Sequence, residues 1–367
     1  MLQKGILIGL LSVPAVLLLV WKGEWFPLRN AAPSPWPSAI VWKTWTDGSW
    51  TKEFEQAFTD RLGGRNIGIR VRNTLDYVVF GKLHAHSVVE GKNGSLVEWE
   101  YIQTARGEDF MGERRLDSTA QAVAALQRRL ESDGKHLLVV LAPGKGVFAS
   151  QDWLPQWGQP TTPDATNVGV FAKALEKKGV LVYNAHQHFL AQRDTAKRVL
   201  MARGGIHWST LGMWRETKGI LSMMEKRMGR PLPQPSWTRA QATQSARGSD
   251  DDLLQGTNRF GFTNKETLHY PEVAWSTMPP GTKKPKVVVI SDSFYWQMHN
   301  EGVTRTAFRE GEFWYYNARI YSEKDKGKPI TPKEVERVLQ EADVFILLST
   351  DVNIKRFGFG FVGQALR

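Results

Sequence analysis

A serine able to act as a nucleophile stands in Ser291-Asp292-Ser293-Phe294, directly after the apolar run KVVVI at Lys286–Ile290. On a strand-to-helix turn, a serine exposes its hydroxyl beside free backbone N–H groups that can stabilise an oxyanion. The surroundings are not G-x-S-x-G, and Ser and Asp at a helix start also serve as ordinary N-caps. A base for Ser293 is offered by Gly204-Gly205-Ile206-His207-Trp208-Ser209-Thr210, again just ahead of a helix, where His207 is placed to take a proton. Packing of its ring under Trp208 is the alternative use of that histidine. His84 and His86, and His186 and His188, have the i, i+2 spacing of a strand face and lack the carboxylate partners of a zinc site. The chain has no cysteine and no dinucleotide or P-loop glycine motif, which excludes thiol chemistry and disulfides; no cofactor and no metal are expected.

Weaker candidates for substrate contact lie at other strand ends. Lys145 follows HLLVVLA (His136–Ala142) on a Pro-Gly turn and could reach an acidic sugar, or be a solvated lysine. Trp208 offers an aromatic face of the kind that stacks on sugars, Asn317 follows WYY, and Asn353 stands in the turn after DVFILLST.

These residues need a frame that brings strand ends together. Val123, Leu126 and Leu130 share one helical face before HLLVVLA. Val168, Phe171 and Leu175 repeat the pattern before Val180–Tyr183. A helix beginning near Ser209 carries Leu211, Trp214, Leu221 and Met224 to Gly229. KVVVI, FWYYNARIY (Phe313–Tyr321) and DVFILLS (Asp343–Ser349) read as further strands, and Thr331-Pro332-Lys333-Glu334 as a capping box. Asn93-Gly94 between apolar runs reads as a hairpin. Alternating helices and continuous apolar strands imply an α/β fold with a mainly parallel sheet flanked by helices. Residues 230–282 read as an irregular insertion.

At the N-terminus, Gly5–Trp21 is uncharged and apolar between Lys4 and Lys22, the length of a short spanning helix. No A-x-A-like cleavage site follows closely, so residues 1–22 read as a transmembrane anchor rather than a signal peptide. Residues 23–44 read as a Pro/Trp-rich linker and 45–367 as the α/β domain. The net charge of +11 leans toward an acidic polymer or anionic lipid. The basic residues form no block, so nucleic acid is not expected as a partner.

Taken together, the two polar clusters resemble those of the AlgJ/AlgX alginate O-acetyltransferases, whose SGNH-hydrolase-like domains attach acetyl groups to exopolysaccharides. In that family an Asp-x-His-Trp motif precedes a Gly-Asp-Ser-like motif. DRLGGRNIGIRVRNTLDYVVFGK, VVEGKNGSLVEWEYI, LLVVLAPGKGVF and GIHWSTLGMW look like successive blocks of the family, from about Trp45 onward. The resemblance implies Ser293 as nucleophile, His207 as general base and Asp292 as the structural aspartate of the serine motif. Gly205 stands where the family has Asp, and Ser291 where it has Gly; Asp194, Asp251 and Asp351 are conceivable replacements for the missing carboxylate. The resemblance also implies a multi-pass membrane-bound O-acyltransferase as acetyl donor, a polysaccharide acceptor, and a domain held by its anchor on the periplasmic or extracytoplasmic side of the bacterial inner membrane. Two alternatives stay open: a polysaccharide acetyl esterase, and a non-catalytic polysaccharide-binding or scaffold subunit.

Overall fold

Among the described residues, the β-branched and leucine-rich runs HLLVVLA, KVVVI and VFILLST pair with one another at the centre of the main sheet. In the computed structural model, which describes Gly9, Ser12, residues 26–29 and residues 31–367, seven strands form one sheet. They are β1 (His136–Ala142), β2 (Val182–Asn184), β3 (Lys286–Ser291), β4 (Arg309–Tyr315), β5 (Arg319–Tyr321), β6 (Lys326–Pro329) and β7 (Val344–Thr350). Their order is β6-β5-β4-β3-β7-β1-β2. The five strands from β4 to β2 pair in parallel, and the β4–β5–β6 edge is antiparallel. The expected mainly parallel sheet is therefore present. One expected strand is two: FWYYNARIY turns back at Tyr316 and Asn317, both in the left-handed region at φ 49° and 51°, so its halves pair with each other.

Every residue of β7 is buried, as continuous apolar strands covered on both faces must be. One face packs on α3 (Glu113–Ser132) and α4 (Asn167–Lys177) through Leu126, Leu130, Phe171 and Leu175. The other meets α5 (Thr210–Met228), capped by the Ser209 hydroxyl and ended by Gly229 at φ 64°. Thr331 occupies the N-cap of the helix Pro332–Glu341 but makes no side-chain cap bond. The would-be partner Glu334 is drawn away into ion pairs with Lys328 and Arg337. Register sets Leu348 beside Ser291 and Thr350 beside Ala142, so the carboxyl ends of the parallel strands share one edge.

The chain divides into two compact units. The larger comprises Ser87–Asp252 and Asn264–Arg367 and contains the sheet. The smaller comprises the described residues up to His86 with Leu253–Thr263. In the smaller unit, α1 (Ser49–Asp60) and α2 (Arg65–Phe80) follow one another, and the buried Asn73 amide donates to the Thr257 carbonyl at 3.0 Å. Val71, Leu75, Val78 and Val79 leave an apolar stripe of α2 exposed. Among the described residues no helix is long and apolar enough to cross a membrane. The anchor expected over residues 1–22 lies, apart from Gly9 and Ser12, outside the described residues.

The stretch expected as an irregular insertion is partly ordered in short pieces. Pro235–Ser236 pairs with Ala274–Trp275, Ala240–Thr243 pairs with Leu268–Pro271, and a one-turn helix, α6, covers Asp252–Gly256.

Candidate active site

Ser293 sits on the turn between β3 and α7 (Tyr295–Asn300). The turn is fixed by Asp292, which is wholly buried. One of its carboxylate oxygens accepts from the Phe294 N–H at 3.1 Å. The other accepts from the Thr350 N–H, the Thr350 hydroxyl and the Asn353 amide, each at 2.8 Å. Four donors on one carboxylate satisfy a charge that burial would otherwise make costly. They tie the end of β3 to the end of β7 and hold Ser293 outward.

His207 is on the loop between the bridge residue Met201 and α5. Its Nε2 is 3.0 Å from Ser293 Oγ, and its Nδ1 is 2.6 Å from Asp252 Oδ2. The second oxygen of Asp252 accepts from the Ile206 N–H at 2.9 Å. Serine, imidazole and carboxylate thus stand in the row that acyl-transfer chemistry uses. The carboxylate is none of the three weighed from sequence. Asp194 is largely exposed beside Arg193. Asp351 is buried, with burial pushing its carboxyl up to about 7, and it lies against Gly144. Asp251 is the immediate neighbour of the residue that does face His207.

Why the carboxylate comes from there follows from Gly205. A Cβ on Gly205 would lie 2.6 Å from the Ser249 carbonyl oxygen and 2.9 Å from that of Asp250. An aspartate two residues before the histidine has no room, because the backbone of 249–250 fills its place. The same short segment grips the histidine loop at three points. Ser249 and Asp250 lie over Gly205, Asp250 accepts from the N–H and hydroxyl of Thr210 at 3.0 Å, and Asp252 holds Ile206 and His207. Burial pushes the Asp250 carboxyl up to about 6, against the hydrogen bonds of Tyr270 and Thr210.

Of the other expected site residues, Lys145 is turned inward. It is 1 % exposed, and its ammonium donates to the carbonyls of Ala202, Arg203 and Gly205. It clamps the histidine loop from beneath; burial pushes it down to about 7, against the pull of Asp252, Glu266 and Asp152. Asn353 is committed to Asp292 and Thr350. Asn317 donates to the Phe359 carbonyl and Gln364. Trp208 is fully buried, its ring edge-on to Phe294, which also backs the His207 ring at 4.7 Å. So Ser293, His207 and Asp292 come together, while Lys145, Asn353 and Trp208 brace them from inside and Asn317 stands elsewhere.

A cavity of about 460 Å³ opens on Ser293 and His207, walled by Tyr270, Trp296, Gln297 and Arg247 among others. The Arg247 guanidinium lies 4.5 Å over the Tyr270 ring, and Trp296 packs edge-on against Tyr321 at 4.5 Å. Tyr270 and Arg247 come from the segment read as an insertion. Nothing in the sequence of that segment marks either residue as part of a site.

The charge state of His207 follows from its surroundings. Burial alone would lower its pKa, but the charge and hydrogen bond of Asp252, with Asp292 and Glu98 farther off, outweigh it and raise the pKa above the usual 6.5. The imidazolium is therefore favoured by folding. That stabilisation is complete below pH 6.5 and is lost as pH rises through the raised value. Base catalysis needs the opposite form. The rate of Ser293 acylation is expected to rise with pH as a single titration whose midpoint lies above 6.5, measured as initial rates with an activated acetyl ester. A midpoint below 6.5 would contradict the His207–Asp252 pairing.

The fold that carries this row is an SGNH-hydrolase-like α/β domain. The chain belongs to the family described as SGNH hydrolase-like domain, acetyltransferase AlgX, which it matches over residues 88–288. Among solved structures it is similar to the O-acetyltransferase domain of Pseudomonas putida AlgJ, at 12% identity and a TM-score of 0.46, covering 76% of this chain and 98% of that one. It is similar to Pseudomonas aeruginosa AlgX at 13% identity and a TM-score of 0.47, covering 76% of this chain and 67% of that one. Bacillus cereus PatB1 is similar at 11% identity and a TM-score of 0.47, covering 75% of this chain and 99% of that one. No curated protein matches the chain.

Proposed function

We propose that the protein is an O-acetyltransferase that carries an acetyl group on Ser293 and passes it to a hydroxyl of a polysaccharide. The observation that carries this reading is the row Ser293 Oγ, His207 and Asp252, at 3.0 and 2.6 Å, in a chain of an acetyltransferase family. In the first half-reaction, His207 Nε2 takes the proton of Ser293 as Oγ bonds to the acetyl carbon, and the donor's leaving group departs with that proton. In the second, an acceptor hydroxyl gives its proton to His207, its oxygen bonds to the acetyl carbon, and the Ser293 bond breaks with return of the proton to Oγ. Asp252 holds Nδ1–H so that Nε2 is free to accept. Asp292 acts through the turn it fixes.

The apolar run Gly5–Trp21 supports a membrane anchor, and the family likeness supports the bacterial inner membrane with the catalytic domain on its extracytoplasmic side. There a multi-pass membrane-bound O-acyltransferase would supply the acetyl group, and shared membrane residence raises the effective concentration of the two partners. Gly205 in place of an aspartate, the many tryptophans and the basic surface fit a non-catalytic scaffold; the Asp252 carboxylate beside His207 weighs against the first of these. Transfer to water instead of sugar uses the same acetyl-enzyme. The test is mass spectrometry of the full chain after incubation with 4-nitrophenyl acetate, alone and with an oligosaccharide acceptor. An acetyl adduct on Ser293 that is discharged faster by the oligosaccharide than by water supports transfer. Discharge indifferent to the acceptor points to an esterase, and no adduct sinks both.

A further inference from the structure

The smaller unit wears its apolar side chains outward. Among the described residues fourteen large apolar side chains are exposed, and all but Leu366 belong to that unit. Single scattered cases need no explanation, but a cluster confined to one unit marks a surface that something covers. The pattern follows the helices. On α2, Val71, Leu75, Val78 and Val79 recur at the spacing of one helical face and are between 43% and 68% exposed. The other side of α2 is committed within the unit. Asn73 donates to the Thr257 carbonyl, Thr74 Oγ1 accepts from the Phe260 N–H at 2.9 Å, and the Tyr77 ring packs edge-on against Phe262 at 5.0 Å. On α1, Trp50, Phe54 and Phe58 stack in a row with ring centroids 5.2 and 6.1 Å apart, and Lys52 lies on the opposite side. An amphipathic helix of a water-soluble unit turns its apolar face inward; α2 turns it out.

A second copy or another protein would also cover such a stripe; the chain itself favours lipid. Arg70, on α2, donates to the Phe26 carbonyl at 3.2 Å and to the Pro27 carbonyl at 2.7 Å. Phe26 follows Trp21, the end of the uncharged run Gly5–Trp21, by five residues. Fully extended, that stretch spans at most about 17 Å. A run that enters a bilayer therefore tethers α2 to its surface. Trp36, Trp42 and Trp45, all exposed, lie between the run and α1, and such amphipathic rings favour the membrane–water interface. Across residues 26–86 and 253–263 nine basic side chains outnumber five acidic ones, which suits anionic headgroups.

We propose that the apolar stripe of α2 is a second membrane contact, lying in the headgroup layer of an anionic bilayer with Leu75 and Val78 toward the acyl chains. The proposal rests on the membrane-anchor reading and not on the acetyl-transfer chemistry.

The chain has no cysteine, so one introduced thiol reports one place. Full-length chains carrying Val78→Cys or Lys52→Cys, both exposed positions, are labelled with nitrobenzoxadiazole. They are reconstituted in vesicles of phosphatidylethanolamine and phosphatidylglycerol, with or without nitroxide near the headgroup end of the acyl chains. The Val78 label is expected to be quenched at least about threefold more than the Lys52 label, as befits a group about 5–10 Å into the interface. The ratio is expected to hold when the protein is diluted in excess lipid. Equal quenching at the two positions overturns the proposal. So does a Val78 preference that fades on dilution, which assigns the stripe to a second copy. A Val78 label shielded from aqueous iodide yet not quenched by nitroxide also overturns it, in favour of a protein partner. Alkaline carbonate extraction reads the anchor separately. A chain stripped from the vesicles by carbonate, whose Val78 label was quenched beforehand, keeps the contact and loses the anchor. A chain that resists extraction and shows no Val78 preference keeps the anchor and loses the contact.

Discussion

Replacing Ser293 by alanine will lower the rate of acetyl release from 4-nitrophenyl acetate by at least about a thousandfold and abolish the covalent adduct. The reason is positional as much as chemical. The hydroxyl stands 3.0 Å from His207 Nε2, on a turn locked by the four donors of Asp292, and the next serine cannot stand in. Ser291 is fully buried, with its hydroxyl donating to the Asp292 carbonyl. If the proposed nucleophile and base act as a unit, the Ser293→Ala/His207→Ala double variant will be no slower than Ser293→Ala alone. The measurement is nitrophenol release with parallel mass spectrometry. An adduct persisting in Ser293→Ala would move the nucleophile elsewhere and undo the assignment.

Asp252→Asn is expected to cost about a hundred- to ten-thousandfold in the same assay while leaving the fold in place. An asparagine oxygen can still accept from the Ile206 N–H, as Asp252 does at 2.9 Å, so the loop keeps its anchor. What changes is the proton on the ring. The asparagine NH2 donates to Nδ1, which drives the hydrogen to Nε2, where it faces Ser293 as a donor and cannot accept. The pH midpoint will fall as well, since the carboxylate that raises the His207 pKa is gone. A rate within threefold of the wild type, at an unchanged midpoint, would show that Asp252 is only a loop anchor.

The sheet was legible because its strands are marked by composition. HLLVVLA, KVVVI and DVFILLS are continuous apolar runs of the kind a doubly covered sheet accommodates, and Ser293 follows the end of KVVVI. FWYYNARIY reads as one strand because nothing in Tyr316 or Asn317 forces the left-handed turn that folds it back. Asp252 was missed for a different reason. Asp250, Asp251 and Asp252 are consecutive, and which one faces the imidazole depends on how closely the backbone of 249–250 approaches Gly205. That approach is a contact between segments some forty residues apart, and its trace in sequence is the glycine two residues before His207. A lysine after a Pro-Gly turn is ordinarily solvated, so the local sequence points Lys145 outward. Its three carbonyl partners lie 57 to 60 residues away and leave no local mark. Residues 230–282 were opaque because their strands are two to four residues long, too short for a period to show.

The Asp292 knot has a kinetic meaning of its own. Phe294 and Thr350 give their N–H groups to the two oxygens of one carboxylate, so neither can be freed without loosening the brace that protects the other. In native-state hydrogen exchange the two amides should therefore open as a single cooperative unit. The Ser293 turn would then belong to the slowest-exchanging part of the sheet rather than to its mobile rim.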